Sequence, residues 1–457
     1  MSGRRSEQVR GGRLAPTVVL AGVLPLLVLL SALAVGGPDE VAAPGAQPPS
    51  EAALTRSTLV CPRAADGGRV VVGSDAGAPG TVVAGEEEVE VGDGVTAGLD
   101  DDGSVEVTGE GERAPGLVAG RSARDATSAV DCPPPSSDQW FTGVGAGGAH
   151  TSVLELHNPD GGPAVADVAV YSQSGALDAE RLRGVAVGPG RTLRLDLAEL
   201  VPRREELTLR VTTDRGRIAA TVVDSFEELG AAAASREWLP SQAEPRTDNL
   251  LLGVPAGDGR RTLVVANPGD DAVRVQVGIV TAQSVFAPEE LPELVVDPGS
   301  VKVVSLGALL SSPAADGALG LAVTSSAPVT ATLRSYVDGD LAETVAGPLV
   351  TGATAAVVPP GPGGAELVLG GAATAGVVEV EAWDAEGRPL RTRRTEVGPD
   401  RGTSLALPTG AVLVRVVPSR AEVVASLLRA GPDGSVVVPL RDLVRSALVP
   451  AVRPGLG

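Results

Sequence analysis

The chain has 457 residues, a formal net charge of −20, 43% hydrophobic content and only eight aromatic residues. So acidic a balance excludes nucleic-acid binding, which needs a concentrated basic face. Fifty-nine glycines and 37 prolines argue against long helices and for frequent turns, so three or four aliphatic β-domains are expected.

In chain order, Arg4, Arg5, Arg10 and Arg13 precede the uncharged run Val18 to Val35. A basic flank before an apolar run marks a secretory signal or a transmembrane signal anchor, with everything after Gly36 exported. The run's length favours an uncleaved anchor, while Ala32-Leu33-Ala34 offers the small residues of a cleavage site. The predicted divisions are a cytoplasmic stub and signal anchor (1–35), a Pro/Ala-rich tether (36–57), a disulfide-closed β-unit (58–138) and three β-sandwich repeats (139–240, 241–345 and 346–457). Cys61 and Cys132 are the only cysteines, and in an exported chain such a pair is expected to be a disulfide. Between them lies an acidic section, Glu86, Glu87, Glu88, Glu90, Asp93 and Asp100 to Asp102. Its spacing is not that of a calcium loop, so a solvated acidic face is expected.

The repeat is carried by turns. Asn158-Pro159 and Asn267-Pro268 each end one alternating run and precede another. Asn closes such a turn with its side chain and Pro presets φ. Pro189 and Pro298 each stand 31 positions after their Asn, in V-G-P-G and V-D-P-G, and each leads through a strand into a Leu-rich turn and a closing strand pair. The 109-residue period is that of one sandwich domain, not of a solenoid repeat. A weaker third copy begins near Glu366, with Gly370-Gly371 in place of Asn-Pro and Val397-Gly398-Pro399-Asp400 as its marker. Linkers are expected at Trp238-Leu239-Pro240 and at V-V-P-P-G-P-G-G-A from Val357, and a short helix is expected after Pro439. Trp140 and Trp238, each just upstream of a repeat's opening hairpin, are expected to seal seams. The fold class is thus all-β, with tandem immunoglobulin-like β-sandwich units after an N-terminal transmembrane or signal helix.

Residues able to do chemistry are sparse. His150 and His157 are the only histidines, and Ala266 stands in the second repeat where His157 stands in the first, so a catalytic or metal role for His157 lacks support. No G-x-S-x-G, H-E-x-x-H or P-loop pattern occurs. Glu205-Glu206, Glu227-Glu228 and Glu289-Glu290 are adjacent pairs, which on a strand face opposite ways, and all are expected to be exposed turn residues. Arg203-Arg204 and Arg391-Thr392-Arg393-Arg394 are expected to be solvated. Tyr171, Phe226 and Tyr336 sit at strand positions expected to be core, which leaves few rings for stacking on sugars.

Taken together, Cys61-Pro62, Cys132-Pro133, Trp140-Phe141, Asn158-Pro159, Trp238-Leu239-Pro240 and Val265-Ala266-Asn267-Pro268-Gly269 resemble an uncharacterised family of actinobacterial exported, membrane-anchored proteins defined by a domain of unknown function. That resemblance implies an envelope location and a β-sandwich array. It carries over no catalytic residue, and Thr142 stands where the family often has a cysteine. The expected function is a non-enzymatic exported envelope protein without cofactor or metal, an interaction module or scaffold. It would be held to the membrane by its N-terminal helix and contact an unknown envelope protein or glycan. A cell-wall carbohydrate-binding module is the alternative.

Overall fold

The computed structural model describes residues 50–449 apart from 65–66, 76–78, 93, 125–127, 229–233, 243 and 433. The apolar run Val18 to Val35 and most of the tether lie outside the described residues. Among the described residues, no helix is long and apolar enough to cross a membrane. The chain is all-β. Two terminal strands, β1 (Ser50–Ala53) and β36 (Ser446–Val449), pair with each other. Residues 53–447 form one unit.

Within that unit the period-two runs become four sandwiches of one topology. The first holds β2 (Arg56–Cys61), β3 (Gly68–Ser74), β4 (Gly80–Ala84), β5 (Glu87–Val91), β6 (Ala97–Asp100), β7 (Val105–Glu110), β8 (Leu117–Ala123) and β9 (Ala129–Asp131). Its sheets are ordered β2-β7-β4-β5 and β6-β3-β8-β9. The second holds β10 (Asp138–Ala146), β11 (His150–Asn158), β12 (Ala164–Ser172), β13 (Gly175–Leu177), β14 (Val185–Val187), β15 (Arg191–Asp196), β16 (Arg204–Arg215), β17 (Ala219–Phe226) and β18 (Ser235–Leu239). Here β10-β16-β12, edged by β13 and β14, faces β15-β11-β17-β18.

The third sandwich comprises β19 (Arg246–Leu252), β20 (Gly259–Asn267), β21 (Val273–Val280), β22 (Val285–Phe286), β23 (Leu294–Val296), β24 (Ser300–Ser305), β25 (Gly320–Val337) and β26 (Asp340–Val345). Its long strand β25 serves both sheets, pairing first with β19 and β21 and then with β20 and β26. The fourth comprises β27 (Leu349–Val350), β28 (Thr354–Val357), β29 (Gly364–Gly370), β30 (Gly376–Trp383), β31 (Pro389–Val397), β32 (Thr403–Ala406), β33 (Leu413–Ser419), β34 (Val423–Gly431) and β35 (Gly434–Pro439). It repeats the order as β28-β33-β30-β31 and β32-β29-β34-β35. Each sandwich encloses its own aliphatic core. Burying one such Leu or Val contributes about 1.5–3 kcal/mol.

The turn markers prove to be clamps. The Asn158 side-chain amide donates to the carbonyls of Gly162, Val187 and Gly188 at 2.7, 3.0 and 3.2 Å, and its oxygen accepts from Asp160 N at 3.0 Å. Asn267 does the same with Asp271, Val296, Asp297 and Gly269 N, at 2.7, 3.2, 3.1 and 3.0 Å. Both side chains are fully buried. One Asn thus closes its own turn and pins the Pro189 or Pro298 turn beside it, which explains the fixed spacing. The Leu-rich turns are single helical turns, Leu197–Leu200 and Gly307–Leu310.

Several expectations are corrected here. The segment assigned to a separate disulfide-closed unit is a fourth copy of the sandwich, and its first full strand starts at Arg56, inside the expected tether. The V-V-P-P-G-P-G-G-A stretch from Val357 lies within the fourth sandwich, joining β28 to β29. The chain after Pro439 is irregular and then extended, not helical, as Pro439 ends a strand whose neighbour β34 supplies its pairing. The four sandwiches form a propeller-like ring, not a string of immunoglobulin-like domains.

Packing between faces makes the ring. The β10 sheet packs on β20 and β25, β19 on β29 and β34, and β28 on β3 and β8. The fourth seam, between β7 and β11, holds His157 and Glu106. The last strands of the sandwiches, β9, β18, β26 and β35, touch one another in cyclic order. They therefore form the inner wall, leaving at the rim the opposite edges of the same sheets, β6, β15, β24 and β32, and the edges β5, β13–β14, β22–β23 and β31 of the partner sheets.

Candidate functional site: buried polar seams

The seams, not the sandwich cores, hold the unusual side chains. Where the second sandwich meets the third, β25 offers Arg334 from a strand otherwise rich in Leu, Ala and Thr. Its guanidinium forks onto Glu206 of β16, with Nη1 3.0 Å from Oε2 and Nη2 2.5 Å from Oε1. Both side chains are at most 9% exposed. Burial would lower the Arg334 pKa, but Glu206, Glu343 and Asp224 raise it, so the cation is permanent.

Beside this fork lies a second network. His150 Nε2 is 2.8 Å from Asp224 Oδ2, and Nδ1 is 2.9 Å from the Glu205 carbonyl oxygen and 2.8 Å from Arg334 Nη1. Ser152 donates to Asp224 Oδ1. Burial alone would push the Asp224 carboxyl up, yet His150, Arg334 and the Ser152 hydroxyl together bring it below its ordinary value. Phe226 tilts against Tyr336 at 4.8 Å and lies under Arg334. A serine, a histidine and an aspartate are thus assembled, but Ser152 gives its proton to the carboxylate, not to the imidazole. A nucleophile needs the imidazole as its base, so the geometry orders a seam and does not arm the hydroxyl.

Acids exceed cations in this seam. Glu343 of β26 pairs in register with Arg334, and Glu237 of β18 pairs with Asp224. Burial, with Asp224 as the nearest like charge, raises the Glu343 carboxyl well above its ordinary value. Such a group stabilises the fold below its unfolded pKa and loses that contribution as pH rises through the folded value. Wild type is therefore expected to lose stability from the ordinary glutamate range upward relative to Glu343→Gln. Urea midpoints measured across pH should converge in acid and separate in alkali, with the variant higher; parallel curves would refute the assignment.

The other seams use different chemistry. Between the first and second sandwiches, His157 bridges Glu106 at 2.9 Å and Thr192 at 2.8 Å, while Trp238 packs with Ala64 and Val130. Within the first sandwich, buried Arg121 is pushed down to about 10 by burial, with Asp101 and Asp102 acting in the opposite direction, and donates to the carbonyls of Pro62, Gly103 and Asp101. Between the third and fourth, Leu252, Val280, Val368 and Val424 make an apolar contact. That contact borders an open cleft of about 810 Å3 whose wall includes Arg246, Asp248 and Arg401. Between the fourth and first, Asp75 takes Arg415 and Arg445, and Asp131 takes Arg441.

The expected site residues fall into place as structure. Cys61 and Cys132 form the disulfide. Asn158, Pro159, Pro189, Asn267, Pro268 and Pro298 shape the paired turns. Trp140 stacks on Tyr171 at 5.8 Å, and Tyr171 belongs to a cluster with Val264, Ala266 and Val301 of the next sandwich. Phe226 and Tyr336 are buried as expected; Tyr171 is only half-buried. The acidic section and both arginine runs are exposed over their described residues. Glu206 is a correction: it is buried, because alternation along β16 turns it inward while Glu205 stays in solvent. Asp224, Arg334 and Glu343 gave no motif. For Asp224 and Arg334 the one local signal is a charge inside an otherwise uncharged strand; Glu343 shares β26 with Asp340. Among the described residues, no cluster of three or more His, Cys, Asp or Glu could hold a metal.

A model of a family of unknown function, DUF5719, matches residues 95–408. The chain belongs to DUF5719. The match begins just before β6 and ends just after β32, so the DUF5719 region spans parts of all four sandwiches and holds the seam between the second and third complete. No curated protein matches the chain.

Proposed function

We propose that this DUF5719 protein is a non-enzymatic scaffold of the cell envelope. It would be exported behind Val18 to Val35, held there as a single-pass anchor, and display the ring outside the membrane to an envelope protein partner. An actinobacterial envelope is the setting that fits the family resemblance. The observation that carries this reading is the set of seams: buried ion pairs and a histidine network are spent on fixing four sandwiches against one another. Buried charge networks of this kind fix geometry more than they add stability. A scaffold benefits from a fixed display of rim surfaces. The carbohydrate-binding alternative loses its best platform, because the Trp140 ring is buried against Tyr171 and is not free to stack on a sugar.

The test is a crosslink and pull-down of the full-length protein from its own envelope, with mass spectrometry of the partners and of the protein's N-terminus. One stoichiometric membrane protein, recovered with Val18 to Val35 intact, supports the scaffold. Glycan recovered without protein, from a chain beginning near Val35, overturns it in favour of a released sugar-binding protein.

A further inference from the structure

Among the partner-sheet edges at the rim, two differ from the other two. In the second and third sandwiches the corresponding edge is broken into short pieces, β13 with β14 and β22 with β23. Short edges are how sheets avoid pairing with other chains. In the first and fourth sandwiches the edge is continuous: β5 has five residues and β31 has nine. Among the described residues, β5 pairs only with β4 and β31 only with β30. Each therefore presents an open row of backbone donors and acceptors.

The side chains on these edges are opposite in sign and mirrored in order. Strand β31 reads P-L-R-T-R-R-T-E-V and β5 reads E-E-V-E-V. The pattern R-x-R-R in one direction meets E-E-x-E in the other. Laid antiparallel, a single register places Arg391 opposite Glu90, Arg393 opposite Glu88 and Arg394 opposite Glu87. It also sets Thr392 against Val89 and Leu390, 39% exposed, against Val91. A shift of one or two residues either way leaves at most two of these charge pairs, and a parallel arrangement leaves two. Glu87, Glu88, Glu90, Arg391 and Arg393 are all exposed, and none makes an ion pair among the described residues. Arg394 holds only an exposed pair with Glu379, of the weak kind that exchanges readily.

We propose that β31 of one molecule adds to β5 of a second copy of this chain, an antiparallel edge-to-edge junction read out by these three Arg–Glu pairs. Main-chain bonds supply the contact and the charge order supplies the register. Charge on an edge strand also serves to repel other edges, but repulsion needs no particular order. Two repelling runs would not need opposite signs in mirrored sequence. The inference concerns self-assembly and stands whether or not the envelope scaffold reading holds.

The experiment uses the full-length chain in detergent and reads self-association by sedimentation velocity. Wild type is expected to associate at about 0.1 M salt and at least tenfold more weakly at about 1 M, where screening is short-ranged. Two triple variants are then compared, one with Arg391→Glu, Arg393→Glu and Arg394→Glu, the other with Glu87→Arg, Glu88→Arg and Glu90→Arg. Each alone is expected to be monomeric, and an equimolar mixture of the two to associate again. Because all six positions are exposed, the circular dichroism of each variant should match wild type. The register is checked by mixing chains carrying Glu88→Cys with chains carrying Arg393→Cys, which should form an intermolecular disulfide faster than Glu88→Cys mixed with Thr395→Cys. A wild type that stays monomeric at about 0.1 mM, or association that survives either triple variant, overturns the proposal.

Discussion

Replacing Arg334 with methionine is expected to cost about 3–5 kcal/mol of stability, because it strands the buried Glu206 carboxylate without its cation. The loss should appear as a lower urea midpoint, with the second and third sandwiches separating before either core melts. Lysine should not rescue it, since an ammonium cannot reproduce the two parallel bonds of the guanidinium fork. The combined Arg334→Met and Glu206→Leu variant should recover most of the loss, because two apolar side chains of similar size fill the seam without a stranded charge. A double-mutant cycle across the four proteins gives the coupling directly. If Arg334→Met alone costs under about 1 kcal/mol, the seam is wetter than its burial indicates and the fork is an ordinary surface pair.

Removing the disulfide is expected to cost a similar amount. Cys61 ends β2 and Cys132 follows β9, so the bond joins the two ends of the first sandwich across a sequence separation of 71. Chain-entropy reasoning for a loop of that size gives about 4 kcal/mol. The first sandwich has the smallest core cluster of the four, so the loss should concentrate there. Calorimetry of the Cys61→Ser and Cys132→Ser variant should show an early transition for this sandwich, absent from the oxidised protein. An unchanged profile would mean that the neighbouring seams, and not the bond, hold it together.

The fold was legible where a turn carried a side-chain device. Asn158 and Asn267 announced two sandwiches because each asparagine has to reach a partner turn at a fixed distance, and that leaves the same spacing in both copies. The first sandwich is legible as a disulfide-closed β-unit but not as a copy of the repeat, for the converse reason: its β3 ends at Ser74, followed by Asp75 in place of Asn-Pro, and Val91-Gly92-Asp93-Gly94 replaces the Pro-Gly marker. Asp75 does different work, bonding Arg415 and Arg445 across a seam. The P-P-G-P-G-G stretch looked like a linker since composition cannot distinguish a turn inside a sandwich from one between two. The seam network was the least legible feature. Arg334 and Glu206 are 128 positions apart, and Arg334 and His150 are 184 apart. Only the face-to-face packing of two sheets brings them together, and no spacing rule along the chain encodes it.

The seam between the fourth and first sandwiches also sets an order of events during synthesis. Asp75 is made early, yet its partners Arg415 and Arg445 lie 340 and 370 residues further on. Until the last sandwich emerges, the first one has an exposed face and a carboxylate without its guanidinium partners, however well its own core has formed. Contacts this distant in sequence are slow to close, and partly assembled intermediates expose sticky edges in the meantime. The ring therefore cannot be completed piecemeal as the chain appears. It snaps shut once, at the end, and a chain halted before the final strands would be the form most in need of a chaperone.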